Sequence, residues 1–150
     1  MKVEQILKTS KPLLPQKRLV INLMLSSNLA ATQMSEGLKP FDISVPQFNV
    51  LRILRGQQGK PANLNTIQER MVNQMSNTTR LIDKLLEKDL VSRRLCEHNR
   101  RKIEVFITDN GMELLKEIDP VIDAVEAQIS GNLNKKDIEL LNTLLEKMRD

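Results

Sequence analysis

Residues 64–111 read LNTIQERMVNQMSNTTRLIDKLLEKDLVSRRLCEHNRRKIEVFITDNG, and this run decides the fold. A short helical pattern places Ile67 and Met71 on one face and ends at Val72-Asn73-Gln74. A second helical pattern follows, with Leu81, Ile82, Leu85 and Leu86 inward at helical spacing. Its outer face begins with small polar and basic residues, and its length suits a DNA major groove. Two runs of strand character come next, Leu90–Leu95 and Lys102–Ile107, with Asn99-Arg100-Arg101 at the tip that joins them. Two helices across a sharp turn, then a basic hairpin, predict a winged helix–turn–helix.

The remaining composition agrees with a small helical protein. The chain has 150 residues, three Phe, no Trp or Tyr, one Cys and one His, so its core is built from Leu, Ile, Val and Met. A single cysteine excludes an internal disulfide and a multi-cysteine zinc cluster. No charged-then-apolar leader and no apolar run near 18 residues is visible, so a cytoplasmic protein without membrane contact is expected. The net charge of +4 conceals an asymmetry. Residues 70–102 hold nine Lys and Arg against four acids, and residues 103–150 hold five against eleven. A basic block beside an acidic tail predicts one face for a polyanion and another turned away from it.

Working outward, Gln16 to about Glu36 reads as a long helix, with Gly37 as its stop and Pro40 beyond. Its run Leu19–Leu25 is apolar nearly all round and needs cover on more than one face. Ser44-Val45-Pro46-Gln47 is a capping-box start for a helix that buries Phe48, Leu51 and Leu54. Asn65 with Gln68 gives a weaker start for the next helix. Thr108 caps a long helix whose apolar residues Met112, Leu115, Ile118, Ile122, Val125 and Ile129 form a seam. Pro120 lies inside it and is expected to bend it. Asn134 caps a last helix with Ile138, Leu141, Leu145 and Met148 on one stripe. The end helices carry more apolar surface than one small domain needs, which predicts a homodimer.

The order and length of these elements, with Thr79-Arg80-Leu81-Ile82-Asp83-Lys84-Leu85, Lys88–Arg94, Asn99-Arg100-Arg101 and Ile107–Gly111, resemble the MarR family of bacterial transcriptional regulators. The resemblance covers nearly the whole chain and is most specific in its second half. It implies a mainly α fold with a small β-hairpin wing: a winged helix–turn–helix lobe at 44–108, flanked by long N- and C-terminal dimerisation helices at 1–38 and 109–150. It also implies a repressor that binds a pseudo-palindromic double-stranded operator as a homodimer and responds to a small-molecule effector. Two positions depart from the family pattern. Asp89 stands where glycine is usual, at a bend for which Asp is better suited than most residues. Asn99 stands where aspartate is usual, leaving hydrogen bonding in place of an ion pair to brace the wing.

On the recognition helix, expected to start near Met75 or Ser76, the exposed early positions are Ser76, Asn77, Thr79 and Arg80, with Lys84 further along. Asn pairs with adenine and Arg with guanine through two atoms each, so Asn77 and Arg80 are the candidates for base readout. Ser76, Thr79 and Lys84 are the candidates for phosphate. Arg100 and Arg101 suit a narrow minor groove, with one inserting and the other bracing the hairpin against Glu97 or Glu104. For an effector crevice, the resemblance points to Asn22, Met34, Phe48 and Met112, all equally readable as core. No catalytic constellation, cofactor motif or metal set is visible, so an enzyme is not expected. Two other functions fit the same residues: an adaptor whose basic face meets an acidic protein, and a thiol sensor through Cys96.

Overall fold

The computed structural model describes residues 1–150. The chain divides into two compact units, one formed by Ser35–Ala124 and a helical one formed by Met1–Met34 with Val125–Asp150.

The helical unit opens with a single turn, α1 (Val3–Ile6), and the long α2 (Pro15–Leu38). Pro15 at the first helical position has no N–H to leave unsatisfied, which suits the start of a helix. The helix passes through Gly37, the expected stop, and the chain tightens into a 3-10 turn at Lys39–Phe41. Asp42, at φ 53°, then turns the chain in the left-handed region. Leu38 is the one fully buried residue of α2, while Leu19, Val20, Met24 and Leu29 are each more than half exposed.

The second unit contains the winged helix–turn–helix that residues 64–111 predict. Helix α3 (Val45–Arg55) starts at a reciprocal box in which Ser44 Oγ accepts from the Gln47 N–H and Gln47 Oε1 accepts from the Ser44 N–H. It buries Phe48, Val50, Leu51 and Leu54. Strand β1 (Ala62–Asn63) is two residues long and leads into α4 (Leu64–Arg70), whose cap is Asn63 rather than Asn65. Helix α5 (Thr78–Glu87) and the strands β2 (Val91–Leu95) and β3 (Ile103–Ile107) complete the lobe. The sheet is antiparallel with order β1-β3-β2, so β1 adds a third strand to the expected hairpin. Ile67, Ile82, Leu85 and Val105 close the core from α4, α5 and β3. Each such buried aliphatic side chain contributes about 1.5–3 kcal/mol relative to exposure.

Helix α6 (Asp109–Ser130) starts on Thr108, whose Oγ1 accepts from the Gly111 N–H, and supplies Leu115, Ile118 and Ile122 to the buried set. It continues through Pro120. Arg55 and Asp119 form a two-bond pair at 2.7 and 3.0 Å that joins the end of α3 to α6. Partial exposure limits such a pair to about 1 kcal/mol, but its fork geometry fixes the approach of the two helices. Helix α7 (Lys135–Arg149), capped by Asn134, buries none of its residues, and Leu140, Leu141, Leu144 and Met148 lie exposed along it.

The bend after α5 explains how the lobe manages without glycine at position 89. The Leu90 N–H reaches the Leu85 carbonyl and the Asp89 N–H reaches that of Leu86, which closes the helix in a Schellman turn. Asp89 occupies the left-handed position at φ 55°. The Thr108 hydroxyl donates to the Asp89 carbonyl and the Asn110 amide donates to its carboxylate, both at 2.7 Å. Asp89→Ala keeps the left-handed strain and loses the carboxylate bond, so it is expected to cost about 1 kcal/mol. Asp89→Gly removes strain along with the bond and is expected to stay within about 0.5 kcal/mol of the native chain. Urea denaturation of the two variants separates these outcomes.

Candidate nucleic-acid interface

The site is built from the turn between α4 and α5, the front of α5, and the tip of the wing. Asn49 on α3 reaches across and accepts from the Val72 N–H at 2.8 Å, anchoring the turn to the lobe. Asn73 to Ser76 form a tight turn in which the Ser76 N–H bonds to the Asn73 carbonyl and the Met75 N–H to Asn73 Oδ1. Gln68 donates to the Gln74 carbonyl, and its side-chain oxygen accepts from the Thr78 hydroxyl. Thr78 is the one buried polar residue of the chain, held by that bond.

Helix α5 consequently starts at Thr78, two or three residues later than the expected Met75 or Ser76. Ser76 is taken up in the turn, and Asn77 becomes the cap, its Oδ1 accepting from the Arg80 N–H at 3.1 Å. That bond uses one of the two lone pairs of Asn77 Oδ1, so a two-atom pairing with adenine would share this oxygen with the helix cap. Thr79 and Arg80 are exposed on the first turn, and Arg80 forms no ion pair. Lys84 lies one turn on and pairs with Glu87 at 3.2 Å. Ser76, Asn77, Arg80 and Lys84 share one open crevice of about 400 Å³ with Pro46 and Gln47 from the start of α3. Four of the seven candidate DNA-binding residues are therefore gathered around one depression. Thr79 lies outside its lining, and Arg100 and Arg101 lie on the wing.

At the wing, strand register does what spacing alone cannot show. Arg94 faces Glu104 across the β2–β3 ladder and bonds it at 2.8 Å, with its guanidinium 4.8 Å from the centre of the Phe106 ring. The hydrogen bond from Arg94 lowers the pKa of the Glu104 carboxyl from its ordinary value. Arg93 pairs with Asp83 at 3.0 Å and ties β2 to α5. Neither Arg100 nor Arg101 braces the hairpin, which corrects the expectation that one would: Arg94 already occupies Glu104, and both tip arginines are exposed and unpaired. Asn99 holds the tip instead. Its Oδ1 accepts from the Arg101 N–H at 3.1 Å and its carbonyl from the Lys102 N–H at 2.9 Å. Asn at the first position of a turn supplies this bond as Asp does.

The four residues considered for an effector lie in different units. Asn22 and Met34 are on α2 in the helical unit, exposed and half-buried respectively. Phe48 is buried in the lobe with the Arg52 guanidinium 5.6 Å from its ring centre, and Met112 is half-buried at the start of α6. Cys96 is half-buried at the end of β2, where its N–H bonds to the Lys102 carbonyl. No cluster of three or more His, Cys, Asp or Glu side chains could hold a metal ion. No helix is long and apolar enough to cross a membrane.

The capped helix, the anchored turn and the braced basic wing define a winged helix–turn–helix fold. Comparison points to a particular family: residues 43–103, which hold most of the lobe, match the model of the MarR family, in agreement with the resemblance read from the recognition helix and the wing tip. Proteins of that family are transcription regulators, not enzymes. Solved structures share the fold over nearly the whole chain. A MarR-like transcription regulator from Bacillus cereus is 24% identical with a TM-score of 0.80, covering 89% of this chain and 95% of that one. A cysteine-to-serine variant of MarR from E. coli, complexed with operator DNA, is 22% identical with a TM-score of 0.78, covering 90% and 94%. BpsR from Bordetella bronchiseptica, whose DNA binding is regulated by 6-hydroxynicotinic acid, is 22% identical with a TM-score of 0.79, covering 89% and 99%.

Proposed function

We propose that the chain is a homodimeric transcriptional repressor that reads a pseudo-palindromic double-stranded operator and is released by a small-molecule effector. The observation that carries this reading is the set of unpaired guanidinium groups, Arg80 on the recognition helix and Arg100 with Arg101 on the wing tip, on elements braced by other residues. Charges held on ordered backbone without a protein partner are suited to a polyanion. Arg80 is assigned to a base edge. Asn77 acts first as the cap and offers its amide group to a base from that position, and Ser76, Thr79 and Lys84 position the helix on phosphates. Arg100 and Arg101 enter the minor groove.

Dimerisation is supported by the apolar residues that the end helices leave exposed, Leu19, Val20, Met24 and Leu29 on α2 and Leu140, Leu141, Leu144 and Met148 on α7. Exposed apolar surface repeated along two helices is what a second subunit would bury. Effector response is proposed on the precedent of BpsR, with Asn22, Met34, Phe48 and Met112 as the first positions to vary. A cytoplasmic location accords with a reader of DNA.

The Arg80 assignment is tested by comparing Arg80→Ala with Arg80→Lys on a duplex that the native protein selects from a random-sequence pool. A two-atom contact with guanine requires the fork of a guanidinium. Both variants are expected to lose about 1–3 kcal/mol and to relax preference at one base pair per half-site. Full rescue by lysine would reassign Arg80 to a phosphate.

A further inference from the structure

We propose that Met75, flanked by Val72, reads a thymine methyl group in the major groove, so that part of the operator preference is apolar. This rests on the reading of the protein as a reader of duplex DNA.

Both side chains are 93% exposed, the most open apolar residues of the lobe, and both lie in the segment that delivers the chain into α5. Exposure at that level in a turn is normally given to polar residues, and this turn has several to spare. Their functional groups are engaged elsewhere. Asn73 Oδ1 accepts from the Met75 N–H, and the Gln74 amide donates to the Glu69 carbonyl at 3.3 Å. Gln68 and Thr78 bond to each other, and Asn77 Oδ1 caps α5. The side chains of Asn73, Gln74 and Asn77 thus hold the turn's shape, while the two apolar ones project from it.

The projection is also ordered. The Val72 N–H is pinned by Asn49 and the Met75 N–H by Asn73, so neither side chain is carried on a loose loop. Ser76 and Asn77, one and two residues on from Met75, line the crevice beside Arg80 and Lys84, which makes the apolar pair continuous with the basic front of α5. A protein partner of acidic character would find nothing to pair with at Val72 and Met75. Duplex DNA offers one apolar group in the major groove, the C5-methyl of thymine, beside the phosphates that the neighbouring cations suit. The flexible thioether side chain of Met75 adapts to that methyl's position.

The experiment uses the full chain and the duplex that the native protein enriches from a random-sequence pool, with each thymine replaced in turn by deoxyuridine. Loss of a single contacted methyl is expected to weaken native binding about fourfold at one position per half-site, the equivalent of one buried CH₂ group. In Met75→Ala, thymine and deoxyuridine at that position are expected to bind equally, with the melting temperature unchanged. Enrichment of no sequence would sink the DNA-reading function itself. Enrichment followed by tolerance of deoxyuridine everywhere, or by an equal loss in native and Met75→Ala proteins, would overturn this inference alone.

Discussion

Replacing Arg100 and Arg101 together with alanine is expected to weaken duplex binding at least tenfold and to flatten its dependence on salt. Both side chains sit at the centre of the Asn99–Lys102 turn, exposed and without an ion pair. The hairpin is braced lower down by Arg94 with Glu104 and by Arg93 with Asp83, so the double variant keeps its wing folded. What it loses is charge at the DNA. Each phosphate neutralised contributes about 0.9 to the slope of log affinity against log salt. The slope is therefore expected to fall by about one to two per subunit, read by anisotropy titrations at several salt concentrations. An unchanged slope would remove the wing from the interface. The same change at Arg94 is expected to act differently, by loosening the hairpin.

The largest effect on stability is expected at Gly111. A Cβ there would lie 2.3 Å from the Leu90 carbonyl oxygen and 2.7 Å from Ile107 Cγ1. The carbonyl cannot step aside cheaply, because it accepts the Thr108 N–H at 3.1 Å, and Thr108 in turn donates to the Asp89 carbonyl and caps α6. The end of α5, the start of β2 and the first turn of α6 meet at this point with no room for a side chain. Gly111→Ala is expected to cost about 2–3 kcal/mol, in the overpacking range, and to lower Tm by roughly 5–10 °C. Gly111→Val should leave little folded protein at 37 °C, since total stability is typically about 5–15 kcal/mol. Thermal unfolding followed by circular dichroism checks both. A native-like melting curve for the alanine variant would show that α6 can shift.

The fates of individual residues show which parts of this were legible in the chain. The periodicity of Leu81, Ile82 and Leu85 and the basic turn between two runs of strand character identify the recognition helix and wing, because both signals are local. The capping box at Ser44 and the cap at Asn134 are local too and form as read, and at Asn134 the structure adds the reciprocal bond with Asp137. The start of α5 is displaced because Asn73, Ser76, Asn77, Thr78 and Thr79 can all cap a helix, and the choice depends on Gln68 reaching Thr78 from another element. Strand β1 escapes notice because two residues carry no alternation. The Arg55–Asp119 pair spans 64 positions, and the choice of Arg94 over the tip arginines as partner of Glu104 needs the strand register. Pairings between distant segments are settled by packing, which spacing in a single chain does not encode.

The proposed function has a pair of such lobes reading duplex DNA. It is tested most directly by fluorescence anisotropy of the full chain with the duplex it enriches from a random-sequence pool, against a shuffled duplex of equal composition near physiological salt. Two chains per enriched duplex and a preference of about a thousandfold or more are expected. Equal, weak binding to both duplexes would rule out this function.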